Sequence, residues 1–104
     1  MIKLSGVIIT YNEEEHLRKC LSSLVDVVDE IIVIDSYSTD NTQAICKKYK
    51  VRLIKQEFLG YKEQKNFAIA QANYDCILSL DGDEAISERL KTSILKVKKN
   101  WRFE

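Results

Sequence analysis

The chain has 104 residues, of which 45% are hydrophobic and 31% charged, as is typical of one soluble globular domain. Its 16 basic and 16 acidic residues cancel, so the charge balance does not indicate nucleic acid as a partner. No apolar run is long enough to cross a membrane, and the first four residues are too few for a signal peptide. The three cysteines form no C-x-x-C pair, which disfavours a disulfide framework or zinc site and favours a reducing, cytoplasmic setting.

The first half of the chain predicts two strands, each followed by a helix. Residues 6–11 and 30–35 are continuous β-branched runs, which are typical of strands buried on both faces. Asn12 is predicted to cap the first helix, and Asp40 or Asn41 to cap a second over residues 42–49. The buried positions expected from helical spacing are Leu17, Cys20, Leu21 and Leu24 in the first helix and Ile45, Cys46 and Tyr49 in the second.

The second half continues the alternation. Residues 51–55 alternate in polarity and predict a strand near an edge, and residues 75–80 predict a fourth strand. A helix over 62–72 lies between them, with its expected apolar side formed by Phe67, Ile69, Ala70 and Ala72. Ser87 is predicted to cap a last helix, whose apolar stripe is Leu90, Ile94, Val97 and Trp101. We expect this stripe to cover a sheet; its lysines leave a helix on a membrane surface as the alternative.

Strands that alternate with helices of about ten residues predict an α/β fold with a parallel sheet and right-handed crossovers. Polar residues follow three of the predicted strands: Tyr11 and Asn12, Asp35 and Ser36, and the segment 81–83. Because the carboxyl ends of parallel strands lie along one edge, these residues are expected to converge on one ligand-binding crevice.

The segment 81–83 is the most informative of these clusters. Asp81 and Asp83 are two residues apart, so in an extended segment their side chains point the same way, and Gly82 adds no bulk between them. Two neighbouring carboxylates repel each other, and a divalent cation with phosphate oxygens in its shell relieves that repulsion. The simpler alternative is an acidic turn that leads into a helix.

Other polar positions have weaker functional interpretations. Asp35 closes an apolar strand and is placed to accept hydrogen bonds from a base or ribose, although a turn or capping role is the alternative. Lys62 or Lys65 can approach a diphosphate and Asn66 can offer an amide, but solvated side chains are the default there. His16 is interpreted as a surface residue. The sequence contains neither G-x-G-x-x-G nor the P-loop pattern, which disfavours dinucleotide binding and P-loop phosphoryl transfer.

Four segments together resemble the nucleotide-binding half of family 2 inverting glycosyltransferases with the GT-A fold. They are Ile9 to Glu14, Asp29 to Thr42, Gly60 to Ala68 and Leu78 to Glu84. Their order matches the family over nearly the whole chain. The Gln-Lys-Asn and Leu-Asp-x-Asp-Glu motifs are similar to those of bacterial glucosyltransferases of the lipopolysaccharide inner core. The resemblance implies a three-layer Rossmann-like sheet of strand order 3-2-1-4 with helices on both faces.

The resemblance also implies a role for each matching residue. Thr10, Tyr11 and Glu13 would line the base and ribose pocket, and Asp35 would contact the nucleoside. Lys65 or Asn66 would lie near the phosphates or the sugar of the donor, a UDP-sugar by expectation. Asp81 would contact the ribose or sugar, and Asp83 would ligate Mg²⁺ or Mn²⁺ on the diphosphate. Such a metal acts as a Lewis acid for the leaving nucleoside diphosphate.

The family normally continues well past the acidic motif, into a half that supplies the acceptor site and the general base. Residues 1–104 are therefore interpreted as the donor-binding half of a longer transferase, inactive alone, with its general base beyond Glu104. The acceptor would be a glycan or glycolipid, and the location the cytoplasm, with peripheral contact to the inner membrane face through the missing half. Two alternatives are haloacid dehalogenase-like phosphoryl transfer, which also uses D-x-D, and a non-catalytic nucleotide-binding or assembly module.

Overall fold

The computed structural model describes residues 2–100, as four strands that alternate with four helices. The elements are β1 (Leu4–Thr10), α1 (Leu17–Leu24), β2 (Glu30–Asp35), α2 (Thr42–Lys48), β3 (Arg52–Lys55), α3 (Tyr61–Ala70), β4 (Cys76–Asp81) and α4 (Glu88–Asn100). The strands form one parallel sheet in the order β3-β2-β1-β4. The predicted α/β class, the strand order and the edge position of the third strand are confirmed.

The register of the sheet aligns the ends of its central strands. Thr10, the last residue of β1, lies opposite Asp35, the last residue of β2. On the other side of β1, Ile9 lies opposite Asp81, the last residue of β4. The polar residues that follow these three strands therefore start from one edge, as parallel topology requires.

Helices cover both faces of the sheet. On one face, Ile8 and Val33 pack with α1 and α2, through Leu21, Ile45 and other buried residues of those helices. On the other face, β1 and β2 present Val7, Ile9, Ile32 and Ile34 to Ala68 of α3. Burial on both faces explains why β1 and β2 consist of unbroken apolar runs rather than alternating ones.

Helix α1 begins later than predicted, and Asn12 does not cap it. Asn12 has a positive φ of 50°, and the chain then turns so that the Glu13 carbonyl accepts from the backbone N–H groups of His16 and Leu17. The Asn12 side chain bonds to Thr39 in the loop after β2 instead. A side chain that bridges two loops is not free to bond the first turn of its own helix, so this prediction is wrong.

The buried side of α3 also differs from the predicted one. Its buried residues are Gln64 and Ala68, and the predicted Phe67 and Ala72 are partly buried against the core, whereas Ile69 is 42% exposed and Ala70 is exposed. Gln64 was not part of the predicted apolar side; it is buried, and its amide nitrogen donates to Ser36 Oγ at 3.0 Å. A buried polar group that keeps a hydrogen bond avoids most of its desolvation cost.

Ser87 caps α4 as predicted, since its Oγ accepts from the backbone N–H of Leu90 at 3.1 Å. The predicted stripe, however, is mostly exposed: Leu90 is 46% and Val97 55% exposed, Ile94 is partly buried, and Trp101 lies outside the described residues. The helix is held instead by Lys98, whose Nζ donates to the Val27 carbonyl and to Asp29, each at 2.8 Å. Among residues 2–100, no helix combines the length and apolar character needed to cross a membrane.

Candidate functional site

A cavity of about 430 Å³ opens at the carboxyl edge of the sheet, between the ends of β1 and β4. This volume lies in the range of small-molecule sites in proteins, roughly 300–1,000 Å³. The order of the strands along the chain reverses between the neighbours β1 and β4, and ligands of open α/β folds bind at such a point. Size and position both indicate a binding site.

Five predicted site residues line this cavity: Thr10, Tyr11, Glu13, Asp81 and Asp83. They come from the ends of β1 and β4, far apart in the sequence, and the parallel sheet brings them together. The convergence expected from the strand ends is thus present in the structure. Their individual roles toward a ligand stay predictions.

The other predicted residues lie around the cavity rather than in its lining. Lys65 Nζ is 3.8 Å from Asp81 Oδ1, which places a cation beside the acidic motif. Asn66 is exposed on α3. Asp35 is fully buried, and its carboxylate accepts from the backbone N–H of Ser38 at 2.8 Å, from Ser38 Oγ at 2.5 Å and from Gln43 Nε2 at 2.9 Å.

Gly82 allows the acidic motif to sit close against β1. Its backbone N–H donates to the Ile9 carbonyl at 2.9 Å. A Cβ at this position would lie 2.7 Å from Thr10 Oγ1, closer than a real Cβ approaches another atom, and in a tight contact of 3.3 Å with Glu13 Cγ. The glycine is therefore required by close packing, and it sets the distance between the acids of β4 and those after β1.

Negative charge accumulates at this side of the cavity. Burial, followed by the charge of the neighbouring Asp83, raises the pKa of Glu13 above its ordinary value. Asp81 Oδ1 is buried without a hydrogen-bond partner in the described residues; at 3.8 Å Lys65 is too distant to bond it and acts only through its charge. Glu13, Asp81 and Asp83 lie near a single lysine, so this side of the cavity keeps a net negative charge.

A buried thiol, that of Cys20, lies behind the acidic side of the cavity and is not a candidate nucleophile. Cys20 Sγ lies 3.9 Å from the Asp81 carbonyl oxygen. Burial, with the charges of Glu84 and Asp83, raises the pKa of Cys20 to about 12. The thiol stays protonated at neutral pH and behaves as a small apolar side chain.

These residues could hold a divalent cation only if a bound ligand supplied further coordinating atoms. Within residues 2–100, no three His, Cys, Asp or Glu side chains converge as a metal cage. Mg²⁺ is commonly held by one or two carboxylates together with substrate phosphates and water. Asp83 and the unpartnered Asp81 Oδ1 supply that kind of partial set, because carboxylate oxygens are the ligands such hard cations prefer.

The loops after β1 and β2 are tied to each other beside the cavity. Asn12 donates its backbone N–H to Ser38 Oγ and accepts from the backbone N–H of Thr39, each at 2.8 Å. One residue further, the backbone N–H of Glu13 donates to Thr42 Oγ1 at 2.9 Å. These cross-loop bonds, which we call the Asn12 latch, hold the chain between Tyr11 and Glu13 in place.

Sequence reasoning assigned no role to three residues that line the remaining wall: Phe58, Tyr61 and Gln64. Phe58 and Tyr61 pack edge to face, with ring centroids 5.0 Å apart and planes at 78°. Both follow the carboxyl end of β3, as Ser36 follows that of β2. Ligand-binding residues tend to follow the carboxyl ends of parallel strands, and the same rule applied to β3 indicates the segment that contains Phe58 and Tyr61.

The glycosyl transferase family 2 model matches residues 5–101. The chain belongs to glycosyl transferase family 2. This membership is incompatible with the haloacid dehalogenase-like interpretation of the D-x-D segment.

Relatives with curated descriptions agree with the family. The chain is 42% identical, over 90% of its length, to an uncharacterized glycosyltransferase of Rickettsia felis. It is 36% identical, over 86% of its length, to the lipopolysaccharide core biosynthesis glycosyltransferase LpsC of Rhizobium meliloti. It covers 33% and 35% of these two proteins, so it spans about a third of the length of the relatives that it matches.

Solved structures share the fold. TarS 1-349 of S. aureus superposes with a TM-score of 0.72 at 30% identity, with 94% of this chain and 33% of that one covered. The same TarS fragment has been crystallised with UDP-GlcNAc. Glucosyl-3-phosphoglycerate synthase of Mycobacterium tuberculosis, crystallised with Mn²⁺, UDP and glucosyl-3-phosphoglycerate, has a TM-score of 0.70 at 23% identity over 81% of this chain and 36% of that one. That last likeness supports the fold alone.

Proposed function

We propose that this chain binds the nucleotide-diphospho-sugar donor of an inverting glycosyl transfer, with a UDP-sugar as donor and Mg²⁺ or Mn²⁺ at the diphosphate. The observation that carries the proposal is the acidic side of the cavity, where Asp83, Glu13 and the unpartnered Asp81 oxygen lie together. A diphosphate is an anion, so acids repel it unless a cation lies between them. Family membership and the UDP-GlcNAc complex of the similar TarS support the donor class.

In this proposal Asp83 would hold the metal; Asp81, which the resemblance assigns to the ribose or sugar, would lie close enough to add a second carboxylate. The bound metal supplies Lewis-acid stabilisation to the leaving nucleoside diphosphate. Lys65, already beside Asp81, adds a positive charge near the phosphates. Thr10, Tyr11 and Glu13 contact the nucleoside, and the Asn12 latch holds their backbone still. Inversion means that an acceptor oxygen forms its bond to the anomeric carbon as the bond to phosphate breaks; the electron pair of the broken bond goes to the diphosphate, and the proton of the acceptor hydroxyl goes to a general base.

The acceptor is proposed by relationship alone. We propose a glycan or glycolipid of the cell envelope, because the chain is similar to a lipopolysaccharide core glycosyltransferase. Free thiols at Cys20, Cys46 and Cys76 suit a reducing compartment, so we place the reaction in the cytoplasm, at the inner face of the membrane. The curated relatives are about three times longer than this chain, and we assign no residue of this chain as general base.

Calorimetry with UDP tests the donor proposal. We expect UDP to bind in the presence of Mn²⁺ and to lose most of its affinity when EDTA removes the metal. Asp83→Ala should weaken binding at least about tenfold, because a carboxylate that ligates the metal is lost. Asp75→Ala is the matched control, since this exposed aspartate precedes β4 at the opposite end of the strand. Binding of UDP that needs no metal and is unaltered in Asp83→Ala would contradict the proposal. No binding of any nucleotide would favour an assembly module.

A further inference from the structure

Helix α4 is the most positively charged of the four helices. Its 13 residues include five basic side chains and one acidic side chain. The whole chain has 16 residues of each sign, so the part outside α4 carries four more acids than bases. The balanced net charge therefore conceals an asymmetry, with a basic helix on an acidic remainder. A basic helix of this kind attracts a negatively charged surface.

The apolar side chains of α4 form a narrow strip that the protein leaves largely uncovered. Leu90 and Val97 are 46% and 55% exposed, and they lie about two helical turns apart on the same side of the helix. Ile94 lies between them and is partly buried. At 3.6 residues per turn the three side chains span an arc of about 60°, and we call them the α4 strip. This strip is open to a partner outside the described residues.

Basic residues border the α4 strip on both sides. On a helical projection, Arg89 and Lys96 lie roughly 100° from the centre of the strip in one direction, and Lys91 and Lys98 lie roughly 100° from it in the other. A helix that lies in the surface of a lipid bilayer has this pattern. Its apolar side enters the boundary of the acyl chains, while long cationic side chains at the margins reach the headgroups.

Two of the five cations are bound to the protein, and three are available. Lys91 Nζ lies 3.3 Å from a carboxylate oxygen of Asp26, and Lys98 Nζ lies 2.8 Å from one of Asp29. These two pairs fix the side of the helix that faces the protein. The remaining basic residues of α4 are exposed and form no ion pair among the described side chains: Arg89, Lys96 and Lys99.

We propose that α4 binds the surface of a membrane that contains anionic lipids. The α4 strip enters the boundary of the acyl chains, and Arg89, Lys96 and Lys99 contact the headgroups. Charge complementarity and size favour a lipid surface over a protein partner. A stable protein interface buries roughly 800 Å² on each side, far more than three side chains in one strip provide. A lipid surface, in contrast, attracts each nearby cation separately.

The position of α4 relates this surface to the candidate site. The helix begins at Glu88, five residues after Asp83, so at most about 17 Å of extended chain separates it from the acidic motif. A bilayer bound along α4 therefore lies beside the carboxyl edge of the sheet, where the cavity opens. Because Lys91 and Lys98 tie the helix to the domain, contact of α4 with lipid also orients the domain. Lipid binding goes beyond donor binding and does not depend on it.

Sedimentation of the chain with lipid vesicles tests the charge part of the proposal. We expect binding to vesicles of phosphatidylglycerol mixed with phosphatidylcholine, little binding to phosphatidylcholine alone, and loss of binding at high salt. Arg89→Gln and Lys96→Gln should each weaken binding about fivefold, the usual effect of one cation near an anionic surface. Lys47→Gln and Lys48→Gln are matched controls, because both lysines are exposed at the end of α2. Equal losses in these controls would overturn the proposal.

Substitutions in the α4 strip test its apolar part. Leu90→Asn and Val97→Asn should weaken binding to the same vesicles about 3- to 10-fold, because an apolar side chain no longer enters the bilayer. Ile69→Asn, at a 42% exposed position of α3, should not. Wild-type binding in both strip variants would overturn the proposal, and so would a wild-type chain that ignores anionic vesicles, which would assign the strip to a protein contact.

Calorimetry with UDP and Mn²⁺, without vesicles, keeps this proposal separate from the donor proposal. All α4 variants should bind UDP as the wild-type protein does, because none of the substituted residues lines the cavity. A wild-type chain that binds vesicles but not UDP would contradict donor binding and leave membrane binding supported. A strip variant that loses UDP affinity together with vesicle binding would overturn the assignment of α4 as a separate membrane surface.

Discussion

The first strand and helix of the chain are anchored very differently from the last pair. Every residue of β1 is buried, and α1 places Leu17, Cys20, Leu21 and Leu24 in the core. No residue of β4 falls in the buried class, and α4 turns only Lys91, Ile94 and Lys98 partly toward the protein among its described side chains. Apolar burial therefore holds one part of the domain, while polar contacts hold much of the other.

The candidate site lies on the boundary between these two regions. Thr10 and Glu13 extend from the buried strand β1, whereas Asp81 and Asp83 extend from the edge strand β4. The geometry between them depends on how firmly β4 is held against β1. Variants that loosen one region and spare the other measure that dependence.

The largest expected effect is on the buried region. Leu21→Ala removes a side chain with 0% exposure and should lower the free energy of unfolding by about 2 to 5 kcal/mol. Leu90→Ala, the same change on exposed α4, should cost no more than about 0.5 kcal/mol. Urea denaturation of both variants checks the comparison. Equal losses would mean that the two regions are anchored alike.

Gly82→Ala tests the contact between the two regions. The added Cβ meets Thr10 Oγ1 at 2.7 Å, so β1 and the acidic turn have to separate. We expect a loss of about 1 to 3 kcal/mol in unfolding free energy, together with weaker UDP binding in Mn²⁺. Gly6→Ala, in the same strand as Thr10, is the comparison, because its Cβ meets the two Val28 methyl groups at 3.3 and 3.4 Å and no atom as close as 2.7 Å. If Gly6→Ala weakened UDP binding as much, contact at Gly82 would not be the cause.

Lys98→Met tests the polar anchor of α4. Its ammonium group donates to the Val27 carbonyl and to Asp29, and the Lys98 side chain is only 12% exposed. Removal of the charge leaves Asp29 without this partner and should cost about 1 to 2 kcal/mol in thermal or urea unfolding. Lys96→Met, on the exposed side of the same helix, should change little. A neutral Lys98 variant would show that other contacts hold the helix.

The smallest effect is the response to acid. Partial burial opposes ionisation of Asp29, but hydrogen bonds from Lys98 and the Leu4 N–H hold its pKa below the ordinary 3.8. Hydrogen bonds from Ser5 and Asn73 likewise outweigh burial and hold the pKa of Glu30 below 4.5.

Because both acids titrate lower in the folded protein, their stabilisation is complete above these ordinary values and is lost as the pH falls through the lower pKa values. Melting temperature measured against pH should fall less steeply on the acid side in Asp29→Asn than in the wild-type protein. Asp75→Asn, at an exposed position, should leave the slope unchanged. Identical slopes in all three proteins would contradict the assignment.

The fold was predictable because its signals are local and repeated. Continuous apolar runs at β1 and β2 can only be buried on two faces, and alternation with helices requires parallel pairing. Errors arose where a polar side chain bonds to a partner distant in the sequence. Gln64 is buried through Ser36, 28 positions away, and Asn12 bonds across 27 positions to Thr39. Neither partner can be read from helical or strand periodicity.

The acidic motif was found for the same topological reason, since residues at the ends of parallel strands share an edge. The strand-end argument located Tyr11, Ser36, Asp81 and Asp83 at one cavity, and the family resemblance added Thr10 and Glu13. It did not predict which of two adjacent residues faces that cavity. Asp35 is turned inward and Ser36 outward, a difference set by the hydrogen bonds from Ser38 and Gln43 rather than by the strand pattern.

The Asn12 latch has a consequence for the energetics of recognition. Loops that order only when a ligand arrives subtract conformational entropy from the affinity they provide. Here the backbone on either side of Asn12 is fixed by bonds to Ser38 and Thr39 before any ligand is present. That ordering is part of folding, so no cost of ordering this backbone is subtracted from the contacts at Tyr11 and Glu13. Association at this wall should then resemble docking to a rigid surface more than induced fit.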